Sequence, residues 1–448
     1  MTSHVARRLP VHRGPAAWSL ILPDPGAPVV PDADQGGDFA IIGAGFAGLS
    51  AARHLHRLNP QARILVLEAG RIAEGASGRN SGFMIDLPHD LASDDYAGGN
   101  LDADRELIAL NRSAIAFAQE AAAEYDIRPD YLDPAGKVNG AASEKADRLN
   151  ASYAAYLTRI GEPSERLDAQ AMRELTGSAH YLSGLYTRGT LMLQPAGYIR
   201  GLAAGLRRTG VQVFEHSPVT RLERQGDGWT LTLPRARVRA GRVILANNGH
   251  LESFGFARNR LMHVFLFASM SAELGPAEQK ALGGAPRWGV TPSDPMGTTL
   301  RRIDTPQGGN RIITRTCAAF EPGMETGEAA LRRATRIQKR KFAEWFPQLR
   351  GVAQQYSWAG HLCLSRNDVS VMRELEPGLY AACVCNGLGT TRSTLTGIAA
   401  AELASGRDSA ITRHFLAEDP PARLPPPPLS TIGATAVLRW REYRARDE

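Results

Sequence analysis

Residues 39–49 read FAIIGAGFAGL, and this segment gives the strongest indication of the fold. Its first four residues are apolar and lead straight into a G-x-G-x-x-G pattern, after which an Ala- and Leu-rich, helix-forming segment runs to about Leu58. A second apolar run, Ile64 to Leu67, ends at Glu68. Strand, glycine turn, helix and second strand together indicate the β-α-β unit that binds dinucleotides.

Each residue of this fingerprint has a physical role. Gly43 permits the tight turn, Gly45 lets the main chain approach a pyrophosphate at the helix N-terminus, and Gly48 allows the helix to pack closely on the strand. Glu68, 25 residues after Gly43, would accept hydrogen bonds from ribose hydroxyls and disfavours a cofactor with a 2′-phosphate. The alternative is a plain strand-turn-helix without a nucleotide.

A second loop, GASGRNSG at residues 75–82, distinguishes FAD from NAD. It follows Glu68 closely and is rich in Gly and Ser, and an NAD domain has no need of it. Its main-chain N–H groups can hold phosphate and reach the pyrimidine edge of a flavin. The sequence therefore predicts FAD, with a solvated turn as the alternative explanation of the loop.

Composition limits the class of protein. The chain has 448 residues, of which 43% are hydrophobic and 22% charged, so we expect two or three globular lobes rather than a disordered or collagenous chain. The formal net charge of +6 is spread thinly until the C-terminus, which disfavours nucleic acid as a partner. No apolar run approaches the roughly 18 residues that span a bilayer.

Cysteine spacing and the N-terminus bear on the compartment. Cys317, Cys363, Cys383 and Cys385 form no C-x-x-C pair, so neither a metal site nor a disulfide framework is predicted and a reducing, cytoplasmic location is expected. Arg7 and Arg8 precede a short apolar stretch that prolines close. This is either an export signal or an N-terminal arm, and the arm is our expectation.

The order of elements predicts a mixed α/β and α+β architecture: a discontinuous Rossmann-type FAD-binding domain with an inserted substrate domain on a mixed or antiparallel sheet. The predicted parts are an extended arm (1–37), the FAD-binding domain (38–100, 190–255 and 355–408), the substrate domain (101–189 and 256–354), and a Pro-rich spacer with a C-terminal helix (409–448).

These residues resemble the FAD-dependent amine and amino-acid oxidoreductases typified by D-amino-acid oxidase, glycine oxidase and sarcosine oxidase. The fingerprint, Glu68 and the 75–82 loop carry the match, and the overall plan is most similar to the γ-glutamylputrescine oxidase branch. Segments 193–195, 218–220, 245–250, 356–360 and 378–389 sit where that branch places its later flavin-domain and loop segments. The resemblance covers about residues 15–408 and is specific for fold and FAD, and much less so for substrate.

The resemblance implies a set of FAD-binding residues. They are Gly43, Gly45, Phe46, Ala47, Gly48, Glu68, Ala69, Ser77, Gly78, Arg79, Asn80, Ser81, Val219, Gly249, Gly387, Leu388, Gly389, Thr390 and Thr391. Val219 would contact the adenine side, and Gly249 would lie near the dinucleotide. A helix beginning near Thr391 would stabilise negative charge at the N1/O2 edge of the flavin. Arg392 stands where relatives commonly carry a Gly-rich loop with His, and it either adds to that stabilisation or faces a phosphate.

The reaction that the resemblance implies is hydride transfer from the carbon next to an amine to flavin N5, which gives an imine that water hydrolyses. A substrate carboxylate would call for an Arg, and the resemblance places it at Arg301 or Arg302. Because a strand directs alternate side chains to opposite faces, only one can face the pocket, and we expect Arg302. A plain surface charge is the alternative for both. His263 either tunes amine protonation and assists O2 or is structural.

Two features bear on the acceptor and on how FAD is attached. Sarcosine-oxidase-like members use a Lys near the flavin to activate O2, but no Lys occurs between residues 146 and 279 here. Cys363 lies 24 residues before Gly387, where sarcosine oxidases carry the Cys that bonds to FAD. It is either that attachment site or a small buried hydrophobe.

Three functions follow as hypotheses. The first is an FAD enzyme that oxidises a primary or secondary amine or an N-substituted amino acid, with O2 or another electron acceptor as its second substrate. The second is a D-amino-acid-type dehydrogenase with an acceptor other than O2, associated with a membrane. The third is a flavin-free binding module. The basic tail helix with Trp440 and Tyr443 docks on the body, a partner subunit or an anionic membrane, and the body is our expectation.

Overall fold

The computed structural model describes residues 2–88, 100–426 and 428–448, so the end of the first predicted FAD-binding segment lies outside the described residues. The strands are β1 (Ser3–Val5), β2 (Gln35–Ile42), β3 (Ile64–Leu67), β4 (Phe83–Met84), β5 (Leu132–Asp133), β6 (Lys137–Ala141), β7 (Glu165–Asp168), β8 (Ser183–Thr187), β9 (Leu191–Leu193), β10 (Gln212–Phe214), β11 (Arg221–Gln225), β12 (Gly228–Thr232), β13 (Arg237–Leu245), β14 (Leu261–Ser271), β15 (Trp288–Pro292), β16 (Thr299–Ile303), β17 (Arg311–Phe320), β18 (Gln354–Ser365), β19 (Val371–Glu376) and β20 (Leu379–Cys383). The α-helices are α1 (Ala17–Leu20), α2 (Phe46–Leu58), α3 (Leu101–Glu124), α4 (Glu144–Ile160), α5 (Ala169–Thr176), α6 (Pro195–Arg208), α7 (Pro276–Leu282), α8 (Glu328–Trp345), α9 (Thr391–Ala404), α10 (Ala410–Leu416) and α11 (Leu429–Arg444).

The first sheet has a parallel centre built on the 39–49 stretch. Its strands follow the order β1-β11-β12-β13-β2-β3-β10, and β20 pairs in parallel with the C-terminal half of β13. Along β2, Ile41 faces one apolar cluster while Ala40 and Ile42 face the other. Central strands buried on both faces are typical of parallel sheets covered by helices, and this explains why the run is continuously apolar.

Segments far apart in sequence complete this sheet. Val243 of β13 pairs with Leu379 of β20, so the chain returns to its first domain after more than a hundred residues. Helix α9 then packs on α2, where a Cβ at Gly397 would lie 2.2 Å from the Ala47 oxygen. The predicted fold class, a discontinuous nucleotide-binding part with an inserted second part, is confirmed.

The second sheet has eight strands in the order β18-β14-β17-β16-β15-β6-β8-β7, antiparallel except for β15 beside β6. A third, small sheet joins β4, β9 and β5. The structure differs from the sequence-based division at one boundary. Residues 355–365, assigned to the FAD-binding part, belong to β18, which pairs antiparallel along the whole of β14.

The N-terminal arm is part of the body. Strand β1 adds an edge to the first sheet by pairing with β11. Trp18 of α1 is fully buried in the main core cluster. Because a buried indole of this size contributes a large apolar area, the arm is held in place by packing as well as by strand pairing.

Candidate active site

The glycine fingerprint adopts the geometry that its sequence predicts. Gly43 has a φ of +105°, and a Cβ there would lie 2.7 Å from the Ala246 oxygen. A Cβ at Gly48 would lie 1.8 Å from the Gly43 oxygen, so only glycine lets α2 lie this close to the turn. The N-cap residue of α2, Gly45, has no side chain to cap the helix, and the Phe46 N–H donates to the Ser77 hydroxyl at 3.3 Å. Both residues line the cavity at this helix N-terminus, where an anion is stabilised.

Glu68 lies at the end of β3 and is oriented by the same turn. Its two carboxylate oxygens accept hydrogen bonds from the N–H groups of Ala44 (2.9 Å) and Gly70 (3.1 Å). Burial raises the pKa of Glu68, and the main-chain donors act in the opposite direction. The carboxylate is thus fixed beside the first turn of the fingerprint.

A cavity of about 510 Å³ lies between the two sheets. Four pieces of main chain border it: the start of α2 at Gly45–Ala47, the loop 76–83, residues 360–366, and the loop 385–390 before α9. Apolar side chains of the second sheet form its floor, among them Met262, Val264, Leu266 and Leu362. A polar, glycine-rich wall faces an apolar floor, as in a site that holds a large cofactor and a small substrate.

The loop 75–82 is held rigidly by two tryptophans. The indole N–H of Trp18 donates to the Asn80 oxygen and that of Trp358 to the Arg79 oxygen, each at 2.9 Å. The Asn80 side chain accepts from the N–H of Gly82 and donates to the Ser77 oxygen at 2.7 Å. These bonds explain the loop's composition, and they leave the Ser77 and Gly45 main chain facing the cavity.

Arg79 does not have the phosphate-binding geometry expected from the sequence. Its guanidinium donates to the main-chain oxygens of Glu74, Arg13, Gly14 and Ala359 and so joins the loop to the arm and β18. Burial lowers its pKa to about 10, so it remains charged at neutral pH. Arg79 borders the cavity, but its guanidinium is bonded to main-chain oxygens and holds the loop in place.

Register across the second sheet directs one arginine into the cavity. Arg315 of β17 pairs with Ala268 on β14 and Thr299 on β16, and all three line the cavity. A bulge follows at Cys317, where φ is +71°, so Ala318 returns to the same face. Burial lowers the pKa of Arg315 to about 10. Within the described residues no protein hydrogen bond or ion pair engages its guanidinium.

Arg315 lines the cavity and is a candidate site residue that the sequence did not indicate. The segment Arg311 to Thr316 has strand character, yet its face depends on the pairing partners and on the bulge. The signal available in the sequence was a charged residue, Arg315, between Thr314 and Thr316 within a segment that has strand character.

The structure corrects the expectation for Arg302. Arg302 lies on the face opposite to Thr299, and its guanidinium donates to the Gly283 and Ala285 oxygens. Arg301 is on the cavity's side of the strand but deeper, bonded to the main-chain oxygens of Ser81, Gly82 and Leu193. Neither lines the cavity. Their main-chain partners argue against a substrate-binding role for either.

His263 lies one step behind the cavity wall. Its Nδ1 is 3.1 Å from Nε2 of His361 and its Nε2 is 2.9 Å from the Glu252 carboxylate. His361 does line the cavity, and burial together with the imidazoles of His250 and His263 lowers its pKa well below the usual value. The three side chains form a continuous polar chain from the cavity to a partly exposed carboxylate.

The loop before α9 borders the cavity, whereas Arg392, in the first turn of α9, does not. Leu388, Gly389 and Thr390 line the cavity, and α9 has no side-chain N-cap because the Thr390 hydroxyl donates to the Phe83 oxygen. Arg392 instead pairs with Glu418 and donates to the Ser370 hydroxyl at 2.7 Å. These contacts join α9 to the segment after α10. Because the Arg392 guanidinium is engaged by them, the expected contact with the flavin or a phosphate is not supported.

Cys363 is directed away from the cavity. It pairs with His263 across the β14–β18 ladder and is fully buried in the second apolar cluster. Burial raises the pKa of its thiol well above the usual value, which disfavours the reactive thiolate. This environment fits the alternative of a small buried hydrophobe.

The C-terminal helix forms the roof of the cavity. Val437, Leu438 and Arg441 of α11 line it. Glu442 holds the helix by accepting the N–H of Ala318 at 2.8 Å and pairing with Arg333 at 2.6 Å. Beyond the helix, the Glu448 side chain accepts the N–H of Ala142, and its main-chain oxygen accepts from Lys341.

The residues assigned to FAD divide between the cavity and its surroundings. Those that line it are Gly45, Phe46, Ala47, Ser77, Arg79, Asn80, Ser81, Gly387, Leu388, Gly389 and Thr390. The other assigned residues do not line it: Gly43, Gly48, Glu68, Ala69, Gly78, Val219, Gly249 and Thr391. A Cβ at Gly45 would lie 2.5 Å from the Ser77 hydroxyl, so this cradle requires glycine. The residues present fit FAD.

Comparison with known proteins agrees with this geometry. Residues 38–403 match the family described as FAD dependent oxidoreductase, and the chain belongs to that family. It is 25% identical over 381 residues to a probable oxidoreductase, OrdL, of Haemophilus influenzae, with 84% of each chain covered. It is also 25% identical to the gamma-glutamylputrescine oxidoreductase of Escherichia coli, covering 82% of this chain and 84% of that one.

Among solved structures, glycine oxidase from Geobacillus kaustophilus superimposes with a TM-score of 0.67 at 20% identity, over 84% of this chain and 96% of that one. This likeness concerns the fold. Together the family, the fold and the cavity confirm the expectations of FAD and of an FAD-dependent oxidoreductase of the amine and amino-acid oxidase type. The flavin-free binding module is thereby excluded.

Proposed function

We propose that this enzyme oxidises an amine that carries a carboxylate, an amino acid or N-substituted amino acid, at the carbon next to nitrogen. The observation that carries the proposal is Arg315, a guanidinium that faces the cavity from the centre of the floor. Arg366, just after β18, and Arg441 of α11 also line the cavity. Arg79, Arg301 and Arg392 are engaged by main-chain oxygens or by Glu418. A planar guanidinium binds both oxygens of a carboxylate at once, which fixes the orientation of the substrate.

FAD bound in this cavity supplies a hydride acceptor at N5. Arg315 holds the carboxylate, and the apolar side chains around it, Leu266 and Leu362, exclude water and favour the uncharged amine. The substrate loses a hydride from carbon and a proton from nitrogen, and water hydrolyses the resulting imine. His361 lies at the wall, where burial lowers its pKa well below the usual value, so it is neutral and adds no positive charge beside the substrate amine. His263 acts through His361 as a positioning residue.

The test pairs two arginines of neighbouring strands. Anaerobic bleaching of the flavin absorbance by D-, L- and N-methyl amino acids and by simple amines identifies the substrate class. Arg315→Met should raise KM for a carboxylate substrate by about 10- to 100-fold, the strength of a charge-assisted bidentate bond, and Arg315→Lys should recover part of it. Arg302→Lys, the matched control, should leave KM unchanged. A wild-type preference for amines without a carboxylate would contradict the proposal.

A second candidate function is a dehydrogenase with an acceptor other than O2. No lysine is among the described residues that line the cavity. Lys137 lies behind Thr291, which does line it, and burial lowers the Lys137 pKa to about 8. With the substrate identified, oxygen consumption compared with dye reduction separates the two functions, because rapid H2O2 formation is incompatible with the dehydrogenase.

A further inference from the structure

Apolar side chains from several elements meet at one end of the cavity. Val264 of β14 and Ala318 of β17 line the cavity and are buried in one apolar cluster. Packed against this cluster and also lining the cavity are six partly buried side chains: Met262, Leu266, Met296, Leu362, Leu364 and Leu438. We call this region the apolar end of the cavity. Partly buried apolar surface around a cavity is covered favourably by an apolar group of a ligand.

Helix α11 contributes Leu438 to the apolar end. Because positions four apart share a helix face, Ala434, Leu438 and Glu442 form one inner stripe of α11. Ala434 and Leu438 pack on the apolar cluster, and the Glu442 carboxylate accepts the N–H of Ala318 at 2.8 Å. This bond holds α11 directly against β17, the strand that carries Arg315. Leu438 is therefore fixed beside the floor of the cavity.

The charged residues that line the cavity near α11 lie at its rim. Val437 lines the cavity and is nevertheless 50% exposed, and Arg441 follows it one turn later on the same flank of α11. Arg366 and Asp368, in the loop after β18, also line the cavity and are exposed. A charged group at these positions stays in contact with water. The more buried surface around Leu438 is apolar.

We propose that Leu438 determines substrate specificity, and that the substrate carries a bulky apolar group, on its α-carbon or on its nitrogen, that packs in the apolar end of the cavity. The inference rests on the proposed function, in which Arg315 holds the substrate carboxylate. Arg315 and Ala318 lie on one face of β17, roughly 10 Å apart along the strand. A substrate of amino-acid size held at Arg315 therefore extends to the side chains around Ala318, which include Leu438.

The segment that supplies Leu438 lies outside the part of the chain that defines the family. The family match covers residues 38–403, whereas α11 comprises Leu429–Arg444. The glycine-rich wall that fits FAD belongs to the matched part, and α11 adds a surface on the substrate side. Membership of the family thus leaves the size of the substrate group to this helix.

The experiment measures anaerobic flavin reduction of the FAD-loaded protein with two series of acids. One series is N-methyl-, N-butyl- and N-benzylglycine, and the other is alanine, leucine and phenylalanine of each hand. Wild-type protein should react faster with the larger members of one series, and the series that responds locates the apolar group on nitrogen or on the α-carbon. Leu438→Ala should raise the rate ratio of the aromatic to the aliphatic member about tenfold, and Leu438→Phe should lower it by a similar factor.

Ile432→Ala is the matched control, because Ile432 lies on the same helix but is 65% exposed, and its rate ratio should equal that of the wild type. Flavin absorbance and thermal unfolding verify that every variant is folded and loaded. An unchanged ratio in both Leu438 variants would overturn the proposal. So would a wild-type preference for aspartate or glutamate over apolar substrates of the same size, which would assign this end to Arg366 and Arg441.

Butylamine and benzylamine separate this inference from the proposed function. If these amines reduce the flavin as fast as the corresponding acids, the carboxylate-binding role of Arg315 fails. The effect of Leu438→Ala on the aromatic to aliphatic ratio is then measured with the two amines themselves, so the two failures are distinguishable.

Discussion

The indole N–H of Trp18 donates a hydrogen bond to the main-chain oxygen of Asn80 at 2.9 Å. The two residues are 62 positions apart, one in the N-terminal arm and the other in the loop that borders the flavin cavity. Trp18 is also 5.2 Å from the Arg301 guanidinium, which holds the Gly82 end of the same loop. The arm is therefore part of the support of the cofactor site.

Replacing Trp18 by Phe should weaken FAD binding. The ring is retained, but the N–H bond to Asn80 is lost, at a cost of about 1 kcal/mol, and a loop held in fewer places binds the cofactor less tightly. Equilibrium dissociation of FAD, followed by flavin fluorescence, measures the effect. Trp229→Phe is the control, since its N–H bonds to the Pro377 oxygen in the first sheet. An equal loss of FAD affinity in both variants would refute the role given to Trp18.

Replacing Gly45 by Ala should yield protein with little or no FAD. The new Cβ would lie 2.5 Å from the Ser77 hydroxyl and would extend into the cavity beside the helix N-terminus. Gly327→Ala, where nothing lies within 4 Å of the added Cβ, should keep its flavin. The ratio of flavin to protein absorbance after purification measures the difference, and a fully yellow Gly45→Ala protein would be inconsistent with this cradle.

Cys363→Ala should leave the mode of FAD binding unchanged. The thiol faces an apolar cluster and burial raises its pKa, so we expect no bond between it and the cofactor. Acid precipitation should leave the yellow colour in the supernatant for wild type and variant alike. Colour that stays in the wild-type pellet and leaves that of the variant would establish the covalent link instead.

The free energy of unfolding should fall as pH falls from about 6.5 to about 4. Burial lowers the pKa values of His12, His180 and His250 to about 4, so the folded protein keeps them neutral while the unfolded chain takes up protons. Stability is therefore present above the unfolded pKa and is lost on acidification, with up to about 1.4 kcal/mol per pH unit for each histidine. Urea unfolding across this range measures the slope. His250→Gln should reduce it, and an unchanged slope would exclude His250 as a source.

Much of the fold follows from interactions between residues that are close in sequence. Helix α4 is bounded by local signals, because Ser143 caps its N-terminus and Gly161, with a φ of +83°, ends it. The glycine fingerprint and Glu68 lie together as expected, since a turn of a few residues fixes their geometry. These features depend on neighbours in sequence.

The class of the fold and the cofactor could be predicted from the sequence, because the turn that holds a pyrophosphate is encoded within about thirty consecutive residues. The sequence does not reveal which of Arg302, Arg315 and Arg392 lines the cavity, and the folded chain shows that it is Arg315. All three are arginines, and nothing in their sequence neighbours distinguishes their roles. Strand register and a bulge direct Arg315 toward the cavity. Arg302 is instead bonded to main-chain oxygens, and Arg392 pairs with Glu418. A side chain's role depends on partners that are distant in sequence, and packing alone brings those partners together.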